Sequence, residues 1–209
     1  MRIGIFGGSF DPIHLGHLLL AQQCVESAQL EKLFFVPAAI PPHKLEHSLA
    51  SNEHRLAMIK LAIGGNDTFC VDTCELDREG VSFTVDTLRS FTSRFPADEI
   101  FLLMGADSLY EFHTWKDPHE ICELAIPLVG ERPGSDPVDF ALLSEFTSAE
   151  RLEQIRRFAF TSKQVEISSS QIQRDLRQGK TIRYQTPKAV EQFILEKKLY
   201  IASHADPEH

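Results

Sequence analysis

Strand-like and helix-like segments alternate along most of this 209-residue chain, and no other feature limits its possible folds so strongly. The strand-like segments are short and apolar, and the segments between them carry apolar residues at helical spacing. This alternation predicts an α/β fold, in which a Rossmann-like parallel sheet with right-handed crossovers is flanked by helices. The first five predicted strands are RIGIF (Arg2–Phe6), KLFFVPA (32–38), TFCVD (68–72), EIFLLMG (99–105) and AIPLVGE (125–131).

The last third of the chain is less regular. Residues from Arg132 to about Ala149 are rich in Pro, Gly and Ser, which predicts a loop rather than a domain boundary. A sixth strand is predicted at QVEIS (164–168), and two helices follow it. We therefore expect a single domain over residues 1–200, with a small helical part at about 168–200 and a flexible tail at 201–209.

Charge and cysteine content narrow the partners and the compartment. The chain has 21 basic and 30 acidic residues, a net charge of −9, which argues against broad binding to nucleic acids or anionic membranes. The four cysteines form no CxxC pair, so we interpret them as reduced thiols. No secretory leader and no membrane-length apolar run is evident, and we expect a cytoplasmic protein.

The segment after the first predicted strand, GGSFDPIHLGH (Gly7–His17), holds the strongest candidate for chemistry. A strand that runs through glycines into a helix exposes backbone N–H groups to an anion, and the helix dipole adds positive potential there. His14 and His17 bracket Gly16 at the predicted helix start, so both imidazoles can donate to the same phosphate oxygens.

The motif has two other interpretations, an established nucleotide-binding fingerprint and a turn without chemistry. The spacing fits neither the dinucleotide fingerprint GxGxxG nor the P-loop GxxxxGK[ST]. A Gly-Gly turn with partly buried histidines that bind only backbone groups is the alternative without chemistry. A single histidine would favour that alternative, whereas the HxGH pattern directly after a strand and two glycines favours a phosphate site.

The segment GGSFDPIHLGHL resembles the N-terminal signature of the nucleotidylyltransferase superfamily, whose hallmark is HxGH. The similarity is closest to the bacterial nicotinate mononucleotide adenylyltransferases and extends over nearly the whole chain. The further blocks occur in the family's order: PPHK (41–44), RLAMIKLAI (55–63), SFTVDTL (82–88), LLMGADSLYEFHTW (102–115), ISSSQIQRDL (167–176) and IRYQTPKAVEQFILEKKLY (182–200). The ordered set is more specific than HxGH alone.

The resemblance implies an adenylyl transfer. The phosphate of nicotinate mononucleotide attacks the α-phosphorus of ATP, and the products are nicotinate adenine dinucleotide and pyrophosphate. No protein nucleophile is expected, so catalysis rests on positioning and charge stabilisation. Mg²⁺ is expected on the ATP phosphates, and no tightly bound cofactor or protein-held metal is implied.

The resemblance also assigns roles to residues. His14 and His17 are the implied catalytic residues, which bind the ATP phosphates and the developing charge. The other implied phosphate-binding residues are Gly7, Gly8, Ser9, Phe10, Lys44, Ser169, Ser170 and Arg174. A solvent-exposed lysine without a role is the alternative for Lys44.

For nicotinate mononucleotide the resemblance implies Thr84, Asp107 and Trp115. Trp115 stacks on the pyridine ring, and Thr84 with nearby amides faces the carboxylate. Asp107 binds a sugar hydroxyl, although an N-cap of the next short helix is an equally good interpretation. For Trp115, the only tryptophan of the chain, a structural anchor is the alternative.

The block ISSSQIQRDL departs from the pattern that the resemblance implies at two positions. Ser170 stands where a threonine is expected, a mild change that keeps the hydroxyl. The resemblance also implies an arginine that binds ATP phosphate at the position where this chain has Gln173, and Arg174 follows it. Adjacent helical residues point about 100° apart, so Arg174 cannot take the same direction. Either ATP binding is weaker here, or Arg174, Arg177 or another cation compensates.

Other functions stay open on sequence alone. A related adenylyltransferase could use nicotinamide mononucleotide or phosphopantetheine. A nucleotide-binding module without turnover is a second alternative, and Gln173 is the feature that favours it. Oligomeric state is left open, between monomer and homo-oligomer.

Overall fold

The computed structural model of the chain describes residues 1–40, 49–78, 80–131, 138–161 and 165–201. Within these ranges six strands form one parallel sheet, in the order β3-β2-β1-β4-β5-β6. The strands are β1 (Arg2–Gly8), β2 (Lys32–Pro37), β3 (Phe69–Val71), β4 (Glu99–Gly105), β5 (Ile126–Glu131) and β6 (Phe160–Thr161). The predicted α/β fold with a Rossmann-like parallel sheet is confirmed.

Eight α-helices of the described residues surround the sheet. Their bounds are α1 (Leu15–Ala28), α2 (Asn52–Ile63), α3 (Thr84–Arg94), α4 (Ala106–Tyr110), α5 (Pro118–Leu124), α6 (Ala149–Phe158), α7 (Ser169–Arg177) and α8 (Lys188–Glu196). No helix among the described residues is long and apolar enough to cross a membrane.

The hydrophobic core lies between the sheet and the helices that cover it. The middle of β4 is continuously buried, as expected for a central parallel strand that is covered on both faces. The α1 helix packs on β1, β2 and β5, and α2 packs on β2 and β3. All four cysteines are free thiols, and Cys24 and Cys122 are fully buried.

The sixth strand is not where the sequence suggested. The strand is Phe160–Thr161, which pairs with Gly130 and Glu131 at the end of β5. The described part of QVEIS, Val165 to Ser168, is not a strand, and Val165 is 38% exposed. This segment instead leads into α7, whose N-cap is Ser168, so the prediction was wrong there.

Helical structure occurs among the described residues of the region predicted as a loop, from Arg132 to about Ala149. Residues 132–137 lie outside the described residues, and so do residues 202–209 of the tail that was predicted at 201–209. Phe140–Leu143 form a 3₁₀ helix, and α6 begins at Ala149, where Ser148 accepts a hydrogen bond from the N–H of Arg151 as N-cap. The α6 helix places Leu152 and Ile155 in the core.

Candidate active site

The candidate site lies at the carboxyl end of the sheet, where β1 and β4 are neighbours. The chain proceeds from β1 to β2 on one side and reaches β4 on the other, so this is the switch point at which open α/β sheets bind ligands. Gly7 lies near the end of β1, and Gly105 ends β4. A Cβ added at Gly7 or Gly105 would meet no atom within 4 Å, so both backbones face open space.

His14 and His17 cap the N-terminus of α1 reciprocally. Nδ1 of His14 accepts the backbone N–H of His17 at 3.3 Å, and Nδ1 of His17 accepts the backbone N–H of His14 at 3.2 Å. The arrangement is a capping box in which imidazoles replace the usual hydroxyl and carboxylate. The two rings stack, with centroids 3.6 Å apart and planes at 24°.

This geometry settles the proton position on each neutral ring. Because Nδ1 accepts a hydrogen bond in both residues, we assign the proton of each neutral ring to Nε2. His14 is only 6% exposed, and burial lowers its pKa to about 4. His14 is therefore a neutral N–H donor at physiological pH rather than the cation that would bind phosphate more strongly.

Gly16 makes room for this pair. A Cβ at Gly16 would lie 3.0 Å from Nδ1 and 3.1 Å from Cε1 of His14, and 3.6 Å from the carbonyl oxygen of Ile167. A side chain at this position would displace the His14 ring from its cap. The glycine of HxGH is thus required by the packing of the first histidine.

A buried arginine, Arg55, supports the loop before α1 through hydrogen bonds. Arg55 of α2 is fully buried, and its guanidinium donates to the carbonyl oxygens of Ser9 at 2.8 Å and Ala50 at 3.2 Å and to Oδ1 of Asn52 at 2.6 Å. Burial lowers the pKa of Arg55, and the nearby carboxylate of Asp11 opposes that shift. Arg55 therefore fixes the backbone at Ser9.

Phe10 and Asp11 face into the protein. Phe10 has a left-handed backbone (φ 46°), and its buried ring contacts Phe6 and His17 at centroid distances of 5.3 and 5.1 Å. Only its backbone can line a ligand. Asp11 is 1% exposed, and its Oδ1 accepts the N–H of Ala50 at 3.2 Å.

The start of α7 meets the same loop. Ser168 caps the helix by accepting the N–H of Gln171 at 3.2 Å, and Oγ of Ser169 donates to the carbonyl oxygen of Pro12 at 2.9 Å. Ser170 is exposed. The N-termini of α1 and α7 therefore lie beside one another, and both place positive helix-dipole potential at this edge of the sheet.

The two arginines of α7 bind different neighbours, and only Arg177 contacts Gln173. Nε2 of Gln173 donates to the carbonyl oxygen of Asp11 at 2.6 Å and to its Oδ2 at 2.9 Å. Nη2 of Arg177 donates to Oε1 of Gln173 at 3.1 Å, whereas Nη2 of Arg174 donates to Oε1 of Gln171 at 2.7 Å. The role predicted for Arg174 remains a prediction.

Thr84 and Trp115 line one cavity, as their shared assignment requires. The cavity has a volume of about 140 Å³, and its other lining residues are Ser82, Phe83, Thr114, Lys116 and Ile121. Thr84 is the first residue of α3, and the N-cap Phe83 offers no side-chain acceptor to the first amides. These amides are donors without a side-chain cap.

Of two other predicted site residues, the structure describes the position of Asp107 but not that of Lys44. Asp107 lies in α4 directly after β4, and the N-cap of that helix is Gly105, so the N-cap interpretation of Asp107 was wrong. Lys44 lies outside the described residues. No group of three or more His, Cys, Asp or Glu side chains within the described ranges could hold a metal ion.

Three supporting residues were missed by sequence reasoning, namely Asp11, Arg55 and Tyr200. Arg55 occupies an apolar helix face, which was a signal, since an arginine among core positions needs buried acceptors. Asp11 and Tyr200 carry no such signal, because the contact between them joins residues 189 positions apart.

Comparison with known proteins agrees with this architecture. The cytidylyltransferase-like family model matches residues 5–175. A probable nicotinate-nucleotide adenylyltransferase from Thermus thermophilus is 44% identical over 200 residues, covering 96% of this chain and 100% of that protein. The corresponding protein of Rhodopirellula baltica is 38% identical over 198 residues, covering 95% of this chain and 92% of its own.

A solved structure shares the fold at lower identity. Plasmodium falciparum nicotinic acid mononucleotide adenylyltransferase, in a complex with APC, superimposes with a TM-score of 0.75 at 19% identity. The match covers 95% of this chain and 96% of that one.

Proposed function

Because the chain belongs to the cytidylyltransferase-like family, and within it to the nicotinate-nucleotide adenylyltransferases, we propose that it transfers the adenylyl group of ATP to nicotinate mononucleotide. A phosphate oxygen of the mononucleotide attacks the α-phosphorus of ATP, and the bond from that phosphorus to the bridging oxygen breaks. The products are nicotinate adenine dinucleotide and pyrophosphate, and the reaction belongs to NAD biosynthesis.

The observation that carries this proposal is the reciprocal cap of His14 and His17. With Nδ1 of each ring accepting a backbone N–H, Nε2 is the nitrogen of each neutral ring that carries the proton and can donate to a ligand oxygen at the N-terminus of α1. Hydrogen-bond donors that are already in position stabilise the charge that develops on phosphate oxygens, because the donors do not have to reorganise during the reaction. Gly7, Gly8, Ser9 and the backbone of Phe10 line the same edge, and Ser169 and Ser170 add the start of α7.

The cavity at Trp115 suits the nicotinate group. The indole provides a flat surface for the pyridine ring, and Thr84 with the first amides of α3 provides donors for its carboxylate. An amide in place of the carboxylate would leave some of these donors unmatched, which favours the acid over the amide. Asp107, after β4, is proposed to bind a sugar hydroxyl, and Lys44 to bind phosphate.

Mg²⁺ is proposed to enter on the ATP phosphates and to neutralise part of their charge. The donor set supports this assignment, because imidazole N–H groups and helix amides surround the proposed phosphate position. The nearby carboxylate of Asp11 is already engaged by hydrogen bonds from Ala50, Gln173 and Tyr200. A cytoplasmic location remains part of the proposal.

Pyrophosphate release tests the function. The purified protein is supplied with ATP, Mg²⁺ and either nicotinate or nicotinamide mononucleotide. We expect turnover with the nicotinate substrate, and a loss of about 10²–10³ in rate for His17→Ala with the fold retained. His119→Ala, on the exposed side of α5, is the matched control. ATP binding without product from either mononucleotide would support a binding module instead.

A further inference from the structure

Glu75, in the turn after β3, is a buried acid to which the proposed mechanism gives no role. The residue is 6% exposed, and Oγ1 of Thr87 donates to its Oε1 at 2.5 Å. Burial raises the pKa of Glu75, and hydrogen bonds from Thr87 and Ser82 and the charge of Arg78 act against that shift. A buried acid is costly unless hydrogen-bond donors compensate it, so Glu75 and these donors form one unit.

The proton of each hydroxyl in this unit has a defined acceptor. Oγ of Ser82 accepts the N–H of Ala39 at 3.0 Å, and its own proton is donated to Glu75. Oγ1 of Thr87 accepts from Nη2 of Arg78 at 3.3 Å and donates its proton to Glu75. Glu75 is therefore the common acceptor of both hydroxyls, and a carboxylate, unlike an amide, can accept at both of its oxygens.

Ser82 places this unit in the wall of the cavity at Trp115. Both residues line the cavity, and so does Thr84, the first residue of α3. The N–H of Ser82 donates to the carbonyl oxygen of Ile40 at 3.0 Å, so Ser82 is bonded through its backbone as well as its hydroxyl. Glu75 is thus one hydrogen bond away from the surface that the mononucleotide is proposed to contact.

The other hydroxyl fixes the N-terminus of α3. The backbone N–H groups of Asp86 and Thr87 donate to the carbonyl oxygen of Phe83, at 3.1 and 3.3 Å. The first two amides of α3 precede these bonds, and they are the donors proposed for the nicotinate carboxylate. Because Thr87 also donates its hydroxyl to the buried Glu75, the first turn of α3 cannot shift without breaking that bond.

We propose that Glu75 is a positioning residue, which holds Ser82 and the first turn of α3 so that the cavity at Trp115 fits the nicotinate group. The inference rests on the proposed function and adds to it a residue that acts on the mononucleotide only through its neighbours. Since Glu75 is buried behind Ser82, it is not proposed to contact either substrate. We therefore expect its loss to weaken the binding of one substrate and to leave the chemical step unchanged.

The test measures turnover and binding separately. Pyrophosphate release gives kcat and the KM for each substrate, and isothermal titration gives the Kd for nicotinate mononucleotide without ATP. Glu75→Gln keeps the size of the side chain but offers only one acceptor oxygen, and we expect both KM and Kd for the mononucleotide to rise about tenfold. The KM for ATP and the kcat per folded molecule are expected to change by less than about twofold.

Two variants of α3 localise the effect. Thr87→Val removes one of the donors to Glu75 and is expected to raise the KM for the mononucleotide about threefold or more, and it carries the test if Glu75→Gln does not fold. Thr92→Val is the matched control, because Oγ1 of Thr92 donates to the carbonyl oxygen of Leu88 within the same helix. It is expected to leave both KM values within about twofold. The losses in Glu75→Gln and Thr87→Val are expected not to add in the double variant, since both disrupt one unit.

A measurement on the free protein makes the result independent of turnover. Trp115 is the only tryptophan, so acrylamide quenching of its fluorescence reports the arrangement of the cavity wall. We expect quenching to increase in Glu75→Gln and Thr87→Val but not in Thr92→Val.

Two results would overturn the inference. One is an unchanged KM and Kd for the mononucleotide in Glu75→Gln and Thr87→Val, and the other is an equal rise in the KM for ATP. If the unmodified chain neither makes product nor binds the mononucleotide, the proposed adenylyl transfer fails. Quenching of Trp115 then still decides whether Glu75 positions the cavity.

Discussion

The hydroxyl of Tyr200 donates a hydrogen bond of 2.5 Å to Oδ1 of Asp11, which joins the segment after α8 to the loop before α1. Asp11 is 1% exposed, and it also accepts from Gln173 and from the N–H of Ala50. Burial and the adjacent carboxylate raise the pKa of Tyr200, so its hydroxyl stays protonated and remains a donor. The carboxylate thus connects three distant parts of the chain.

Removing this hydroxyl is expected to destabilise the protein. Tyr200→Phe leaves a buried carboxylate short of one donor, and we expect the free energy of unfolding to fall by about 1–2 kcal/mol. Urea unfolding at pH 7 measures the change. Tyr110→Phe, at a residue that is 51% exposed, is the control and is expected to cost only a few tenths of a kcal/mol. Equal losses in the two variants would contradict the role of the Tyr200 contact.

Gly16 offers a test in which helix propensity and site geometry act in opposite directions. Gly16→Ala adds a good helix former, worth about 0.5–1 kcal/mol, in the first turn of α1. Its Cβ would lie 3.0 Å from the His14 ring, however, and we expect the rate of pyrophosphate release to fall about tenfold or more.

The control for Gly16 is Gly64→Ala, where an added Cβ makes ordinary contacts of 3.5 and 3.7 Å. Its rate is expected to equal that of the unmodified chain. Full activity in Gly16→Ala would show that the His14 ring tolerates displacement.

The buried imidazole of His14 predicts a loss of stability in acid. Burial lowers its pKa in the folded state to about 4, against 6.5 for the exposed group. The unfolded chain therefore binds the extra proton first, and stability falls as the pH drops from about 6.5 to about 4, by about 3 kcal/mol in total.

His14→Asn isolates this contribution, since asparagine also caps helices but does not titrate. Urea unfolding of both proteins at pH 7 and pH 4.5 gives the comparison. We expect the variant to lose less stability between these pH values than the unmodified chain. An identical loss would mean that His14 is not the titrating group.

Substitution of Trp115 tests which of the two substrates its indole ring binds. Trp115→Ala removes the flat wall of the cavity at Thr84, and we expect the KM for nicotinate mononucleotide to rise about tenfold while the KM for ATP stays unchanged. Trp115→Phe keeps an aromatic face and is expected to recover part of the loss. A rise in the KM for ATP instead would place the indole on the other substrate.

Local sequence patterns were sufficient for the parts of the fold that depend on local physics. The apolar run of β4 was evident, because a strand that is buried on both faces leaves a signal in a few adjacent residues. The last strand was misplaced because Phe160–Thr161 is only two residues long, whereas Val165 and Ile167 imitate strand alternation.

The histidine pair could be recognised from the sequence, but its protonation could not. Alternation and glycines place His14 and His17 at a helix start, which already implies an anion site. That His14 is neutral depends on its burial and on the reciprocal bonds to backbone, which arise only once the loop is packed. Likewise, the departure at Gln173 was visible in the sequence, whereas its contact with Asp11 spans 162 positions.

The contacts that complete the loop before α1 have a consequence for how the chain acquires activity. Pro12 accepts a hydrogen bond from Ser169, and Asp11 accepts hydrogen bonds from Gln173 and Tyr200. Each of these partners is synthesised more than 150 residues later. A nascent chain that has already folded β1 to β5 still lacks these partners. The histidines are therefore synthesised well before the residues that complete the loop beside them, and the nucleotide site can form only after those later residues have been made.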